Sequence, residues 1–177
     1  MNRKHNYVYF VEGDTEQKII DVLKTNMESI QPGRTIVFNI FQDTITPARL
    51  TRLSPGTIVI IVFDTDQVNP NFKLYDSNLK KLKKARNVTD IILIPQCKNF
   101  EDEIVFSTTI NKIESFFPSE SVSKFKADML KVNDITLSKK LEKHQFDIDK
   151  FWSREPSGVY SSIPNNALKI KLKIKGK

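Results

Sequence analysis

The sequence predicts an α/β protein: a mainly parallel four-stranded sheet flanked by helices, followed by a C-terminal helical extension. Three observations lead there. Runs of β-branched and aromatic residues recur at 7–11, 35–41, 57–63 and 90–95. Apolar residues at helical spacing separate the first run from the second and the third from the fourth, giving the order βα-β-βα-β of a parallel sheet. After Pro95 strand-like runs disappear until the end of the chain, and helical spacing takes over.

The elements follow in order. Residues 7–11 read as a buried strand. Asp14 is placed to cap the next helix, with Gln17 at the capping-box position, and Ile19, Val22, Leu23, Met27 and Ile30 recur at helical spacing, which predicts a helix over 15–29 ended by Pro32-Gly33. Residues 35–41 form a second strand. Pro47 to Leu53 is a short helix or a loop, and Pro55-Gly56 a turn. Residues 57–63 are nearly all apolar and β-branched, as in a central strand covered on both faces. Tyr75, Leu79 and Leu82 mark a second helix with a basic remainder, and Asp90 to Pro95 is the fourth strand.

Shorter helices are expected at 100–106, 119–130 and 136–144, and a loop from Ser153 to Asn166. The tail Leu168 to Lys175 alternates strictly and reads as an amphipathic edge strand or a frayed basic tail. Residues 1–106 therefore form the α/β unit. Residues 107–177 form a helical extension with a basic tail, packed on the first unit as one compact body.

The chain has 177 residues, 39% hydrophobic and 28% charged, within the range of an ordinary globular domain. No apolar run approaches the roughly 20 residues needed to span a bilayer, and the N-terminus lacks a signal-peptide core, so no membrane partner and a cytoplasmic location are expected. Cys97 is the only cysteine, which excludes an internal disulfide, and with only His5 and His144 besides, a structural zinc site is not expected. The net charge of +7 favours polyanionic partners.

Two acidic motifs carry the chemistry. Glu12-Gly13-Asp14-Thr15-Glu16 follows the first strand, and Asp64-Thr65-Asp66 follows the third. If the strands are parallel, these carboxylates meet at the C-terminal edge of the sheet, where open α/β folds bind ligands. Clustered carboxylates call for Mg²⁺ or Mn²⁺, which prefer oxygen donors. At i, i+2 on an extended chain, Asp64 and Asp66 point the same way and can share one ion or each serve one of a pair. The plainer alternative makes Asp64 a turn cap and Asp66 a solvated charge. Glu12, before the permissive Gly13, suits a ligand or general base. Glu16 is a further ligand or simply an acid favoured by the helix dipole. The same choice faces Glu101, first of the three acids Glu101-Asp102-Glu103 after the fourth strand. Lys98 is a candidate to contact a phosphate or activate a water, or a surface charge.

Lys80, Lys81, Lys83, Lys84 and Arg86 crowd the end of the second helix, and Lys169, Lys171, Lys173 and Lys175 project to one side of an extended tail. Each set is either a nucleic-acid phosphate track or an ordinary device: a dipole-complementing face in the helix, a lysine-guarded edge in the tail. Trp152 and Tyr160 are candidates to stack on bases, with core packing the stronger reading of Trp152. No dinucleotide fingerprint, P-loop or nucleophile elbow is present.

Strand-Glu-Gly-x-Thr-Glu-helix followed by strand-Asp-x-Asp resembles the Toprim domain over about residues 7–106. The resemblance is closest to the OLD-family and RloB-like proteins, whose E-G-x-T-E looks like Glu12 to Glu16. Pro95 to Glu101 loosely resembles the N-P-x-F-E segment of RloB-like chains, with residues between Pro95 and Phe100 that the family lacks. The resemblance implies that Glu12 serves as general acid/base or metal ligand and that Asp64 and Asp66 bind Mg²⁺. It implies metal-dependent hydrolysis of DNA or RNA. The chain has no room for the further domains of a topoisomerase or primase. OLD nucleases carry an ATPase on the same chain, so the resemblance also suggests a separate ATPase or other defence-system partner, in a system acting against phage or plasmid. The alternative is a non-catalytic regulatory or partner-binding subunit that works through the extension and tail. A receiver-like phosphoacceptor ranks third, because Glu12 stands alone at the end of its strand apart from Glu16.

Overall fold

The computed structural model describes residues 6–172. Four strands, β1 (Asn6–Val11), β2 (Gly33–Val37), β3 (Thr57–Asp64) and β4 (Val88–Gln96), form one sheet in the order β2-β1-β3-β4. Every pairing is parallel. The fold is thus α/β with an all-parallel sheet flanked by helices. The uninterrupted apolar run of β3 needs cover on both faces, and both faces are covered.

Helix α1 (Asp14–Thr25) joins β1 to β2, and α3 (Phe72–Lys84) joins β3 to β4. The first crossover steps toward one edge of the sheet and the second toward the other, so right-handed connections place the two helices on opposite faces. The core clusters agree. Tyr9, Val11, Ile60, Val62 and Ile94 pack with Ile19, Ile20 and Leu23 of α1. Val8, Phe10, Ile61 and Phe63 pack with Tyr75 and Leu82 of α3. The short helix α2 (Pro47–Thr51), capped by Thr46, precedes β3.

Helix α4 (Phe100–Phe106) closes the α/β unit, and the extension carries a single helical turn at Ile113–Ser115, then α5 (Val122–Lys131) and α6 (Asp134–Lys143). Asn99, Ser121 and Asn133 cap these helices through side-chain oxygens. Phe116, Phe125, Met129, Leu137, Leu141, Phe151 and Trp152 join the same buried cluster as α1 and its face of the sheet. The extension therefore shares the cover of that face with α1.

Several expectations are corrected. Helix α1 ends at Thr25 rather than 29, because the chain turns back: Glu28 adopts φ +47° and the Ser29 N–H reaches the Leu23 carbonyl at 2.9 Å. Gly13, not Asp14, is its N-cap, and no side chain caps it. Strand β2 stops at Val37; Phe38, Ile40 and Phe41 are buried from an irregular segment. That segment is held by buried Asn78 of α3, whose amide donates to the Ile40 and Asp43 carbonyls and accepts from the Ile45 N–H. The tail forms no edge strand among the described residues: Ala167–Lys169 is a helical turn and Lys171 makes one antiparallel bridge to Ile30. Lys173 and Lys175 lie outside the described residues. Among the described residues no helix is long and apolar enough to cross a membrane.

Candidate metal site at the C-terminal edge of the sheet

The sheet order reverses between β1 and β3, so the C-terminal ends of these neighbours form the crevice where open α/β sheets take their ligands. Glu12 directly follows β1 and Asp64 ends β3. The two residues touch: the Asp64 N–H donates to Glu12 Oε1 at 3.3 Å. The next strand contributes Gln96, fully buried, whose amide donates to Asp64 Oδ1 at 2.7 Å.

The loops beyond β3 and β4 are tied together. The Thr65 N–H donates to the Lys98 carbonyl at 2.7 Å, the Lys98 N–H to Thr65 Oγ1 at 3.0 Å, and that hydroxyl to the Gln96 carbonyl at 2.7 Å. Lys98 takes φ +63° to make this turn. Asp66 is exposed, and Asn99 donates to its Oδ2 at 3.2 Å. Gly13 fits because a side chain there would press on Glu16, whose Oε2 lies 3.0 Å from where a Cβ would sit.

Glu16 and Glu101 are both buried, from the first turns of α1 and α4. Thr15 donates to Glu16 Oε2 at 3.0 Å. Glu101 Oε1 accepts no well-formed hydrogen bond; the ammonium of Lys126, from α5, answers its charge at 2.9 Å.

Electrostatics join these acids into one group. Burial lifts the Glu12 carboxyl to about 7, with Glu16 and Asp66 adding repulsion against the lowering effect of the Asp64 N–H. Burial lifts Asp64 to about 8, reinforced by Glu12, Glu16 and Asp66. Glu16 is also raised, by burial first and by Glu101 among its neighbours. Burial alone would lower Lys126, but Glu101, Glu16 and Asp64 raise it. All five acids named from the sequence, Glu12, Glu16, Asp64, Asp66 and Glu101, are thus within electrostatic reach of one edge of the sheet.

The donor set is all oxygen, the preference of Mg²⁺ and Mn²⁺. A cation would offset both the burial, which is the larger cause, and the mutual repulsion that raise Glu12 and Asp64. In the arrangement seen, no three Asp, Glu, His or Cys side chains among the described residues are gathered tightly enough to hold an ion.

The other candidates fall elsewhere. The Lys98 ammonium is exposed and pairs with Asp102 at 3.4 Å. Tyr160 is buried among Phe41 and Phe72, with its hydroxyl toward the Gln67 carbonyl at 3.4 Å. Trp152 is buried in the core. Neither ring is free to stack on a base.

Helix α3 runs from the C-terminal end of β3 back to the start of β4. Its last turns therefore carry Lys80, Lys81, Lys83, Lys84 and the following Arg86 toward the edge of the sheet opposite the acids. Lys80, Lys81 and Lys84 line a hollow with Lys73 and Asp76. Arg34, Arg49 and Arg52 line a second, beside β2. None of these cations is ion-paired among the described residues. Lys169, by contrast, pairs with Asp90 at 3.9 Å, and Lys171 donates to the Asp149 carbonyl at 3.1 Å.

Sequence reasoning missed Gln96 and Lys126. Gln96 was findable as the residue directly after a strand run; Lys126 stands in an expected helix, but no local pattern ties it to Glu101. Comparison with protein-family models, curated proteins and solved structures gives no match.

Proposed function

We propose that the protein is a Toprim-like nuclease that hydrolyses phosphodiester bonds of DNA or RNA with Mg²⁺ or Mn²⁺. One observation carries the reading: Glu12 and Asp64 lie in contact at the switch point of a parallel sheet, with Glu16, Asp66 and Glu101 in electrostatic range. Glu12, Asp64 and Asp66 would hold the ion, with Glu16 and Glu101 as further donors. Bound there, a divalent ion supplies charge stabilisation to the phosphate and a nucleophilic water at neutral pH. Glu12, lifted to about 7 by burial in the metal-free protein, would give up its proton as the ion binds, so ion affinity should rise with pH through neutrality. The cations of α3, which make no ion pair among the described residues, would offer phosphates a sequence-independent hold.

The test is cleavage of single- and double-stranded DNA and RNA in Mg²⁺ or Mn²⁺, with Asp66→Asn beside the wild type. Cleavage lost with EDTA and with the substitution, in a protein that stays folded, supports the reading and names the substrate. Wild-type rates from Asp66→Asn would refute the site.

A second reading rests on the extension, which packs into the same core as the site-bearing sheet. A regulatory subunit with this fold would bind no divalent ion but would associate stably with another protein, such as a separate ATPase.

A further inference from the structure

Gln96, which holds Asp64, is itself held from far along the chain. Trp152 is the only tryptophan and is buried, and both its N–H groups are committed. Its backbone N–H donates to Glu103 Oε2 at 3.1 Å, and its indole N–H to Gln96 Oε1 at 3.0 Å. Glu103 Oε1 in turn accepts the Cys97 N–H at 2.9 Å and pairs with Arg154 at 2.9 Å. Trp152 takes φ +57°, a conformation bulky side chains avoid unless their surroundings enforce it.

The consequence lies in the Gln96 amide. An indole N–H can only donate, so the amide oxygen must face Trp152. The amide nitrogen then has to face Asp64, where it donates to Oδ1 at 2.7 Å. Both ends of a fully buried amide are fixed in this way. The carboxylate of Asp64 is locked through Oδ1, and no hydrogen bond is made to its Oδ2 among the described residues. Without the indole N–H, the amide can turn over and set its oxygen against the Asp64 oxygen.

We propose that Trp152 and Gln96 are positioning residues of the metal site: the helical extension, through Trp152, sets the Gln96 amide, and Gln96 aims Asp64 at the ion. This rests on the metal-site reading above. It assigns the extension a part in that site beyond covering the sheet.

The experiment is Mn²⁺ binding to the full chain, followed by electron paramagnetic resonance, for the wild type, Trp152→Phe and Gln96→Met. Phenylalanine keeps an aromatic ring beside Phe151 while removing the donor along with part of the indole's volume, and Gln96→Met removes the amide without touching that packing. Outer partners of metal ligands typically change affinity about 10- to 100-fold. The expected result is at least about a tenfold weaker Mn²⁺ affinity in both variants, measured where each is folded. Unchanged affinity in a folded Trp152→Phe would overturn the proposal, since a purely structural tryptophan affects stability and not the ion. Wild-type protein that binds no Mn²⁺ would overturn the metal-site reading itself, and the proposal with it. A second arm needs no variant. Trp152 sits two hydrogen bonds from the site, so Mg²⁺ should shift its fluorescence with a midpoint that matches binding; binding with no shift counts against the relay even where the variants do not fold.

Discussion

Asp64→Asn should make the protein more stable at alkaline pH when no divalent ion is present. The asparagine keeps the shape of the side chain and an oxygen to accept the Gln96 amide, and removes a charge the fold opposes. Asp64 is held at about 8 against an ordinary 3.8. In the unfolded chain it ionises near 4; in the folded chain it keeps its proton to about 8. Between those values the folded state binds more protons, so wild-type stability falls as pH rises through the window. Below about pH 4 both states are protonated and the effect vanishes.

At about 1.4 kcal/mol per tenfold change in proton affinity, the full displacement sets a ceiling of roughly 5–6 kcal/mol. From pH 5 to 9 the chain crosses about three-quarters of it, and water at the open sheet edge screens about half of that share. Asp64→Asn should therefore gain about 2 kcal/mol over the wild type between pH 5 and 9. Urea unfolding in EDTA at pH 5, 7 and 9 measures this directly. Parallel pH curves for the two proteins, or a variant less stable at pH 9, would refute the electrostatic argument. Added Mg²⁺ should raise the wild-type midpoint and leave the variant's much less changed.

Asp66→Asn should lower cleavage at least about a hundredfold, as expected for loss of a ligand in a metal-assisted hydrolysis, and leave the unfolding midpoint near wild type because Asp66 is exposed. Gly33→Ala should destabilise by about 1–3 kcal/mol in thermal melts. A Cβ there would lie 2.5 Å from the Tyr7 carbonyl oxygen of the paired strand. Leu141→Ala, in a fully buried position of α6, should cost about 2–5 kcal/mol and lower the stability of the whole chain in a single transition. Two separate transitions would mean that the extension unfolds by itself. Lys80→Glu with Lys84→Glu should weaken nucleic-acid binding about equally across sequences and flatten its salt dependence, in filter-binding titrations.

The sheet and the edge that carries Glu12 and Asp64 were legible because β1 and β3 are continuous apolar runs with an acid directly after each. Period and punctuation suffice there. Phe38 to Phe41 misled for a physical reason: the segment is apolar because it is buried, but Asn78 satisfies its backbone in place of a strand partner. Helix α1 read too long because Met27 and Ile30 keep the apolar spacing beyond its end at Thr25, on either side of the reversal at Glu28. Tyr160 read as a free aromatic because sequence does not reveal that Phe41 and Phe72 enclose it. The contacts of Gln96 with Trp152 and of Glu101 with Lys126 join distant segments. No local pattern encodes them; they exist only once the extension has packed on the sheet.

That packing has a bearing on the order in which the protein is made. All four strands leave the ribosome before α5, α6 and Trp152 do. Until those segments emerge, the face of the nascent sheet that they will cover has only α1 and α4, and Gln96 meets Asp64 without its partner. Half-covered sheets are where nascent chains adhere to one another or recruit chaperones. The carboxylate edge is thus finished late in synthesis, after the residues that compose it have long been in place.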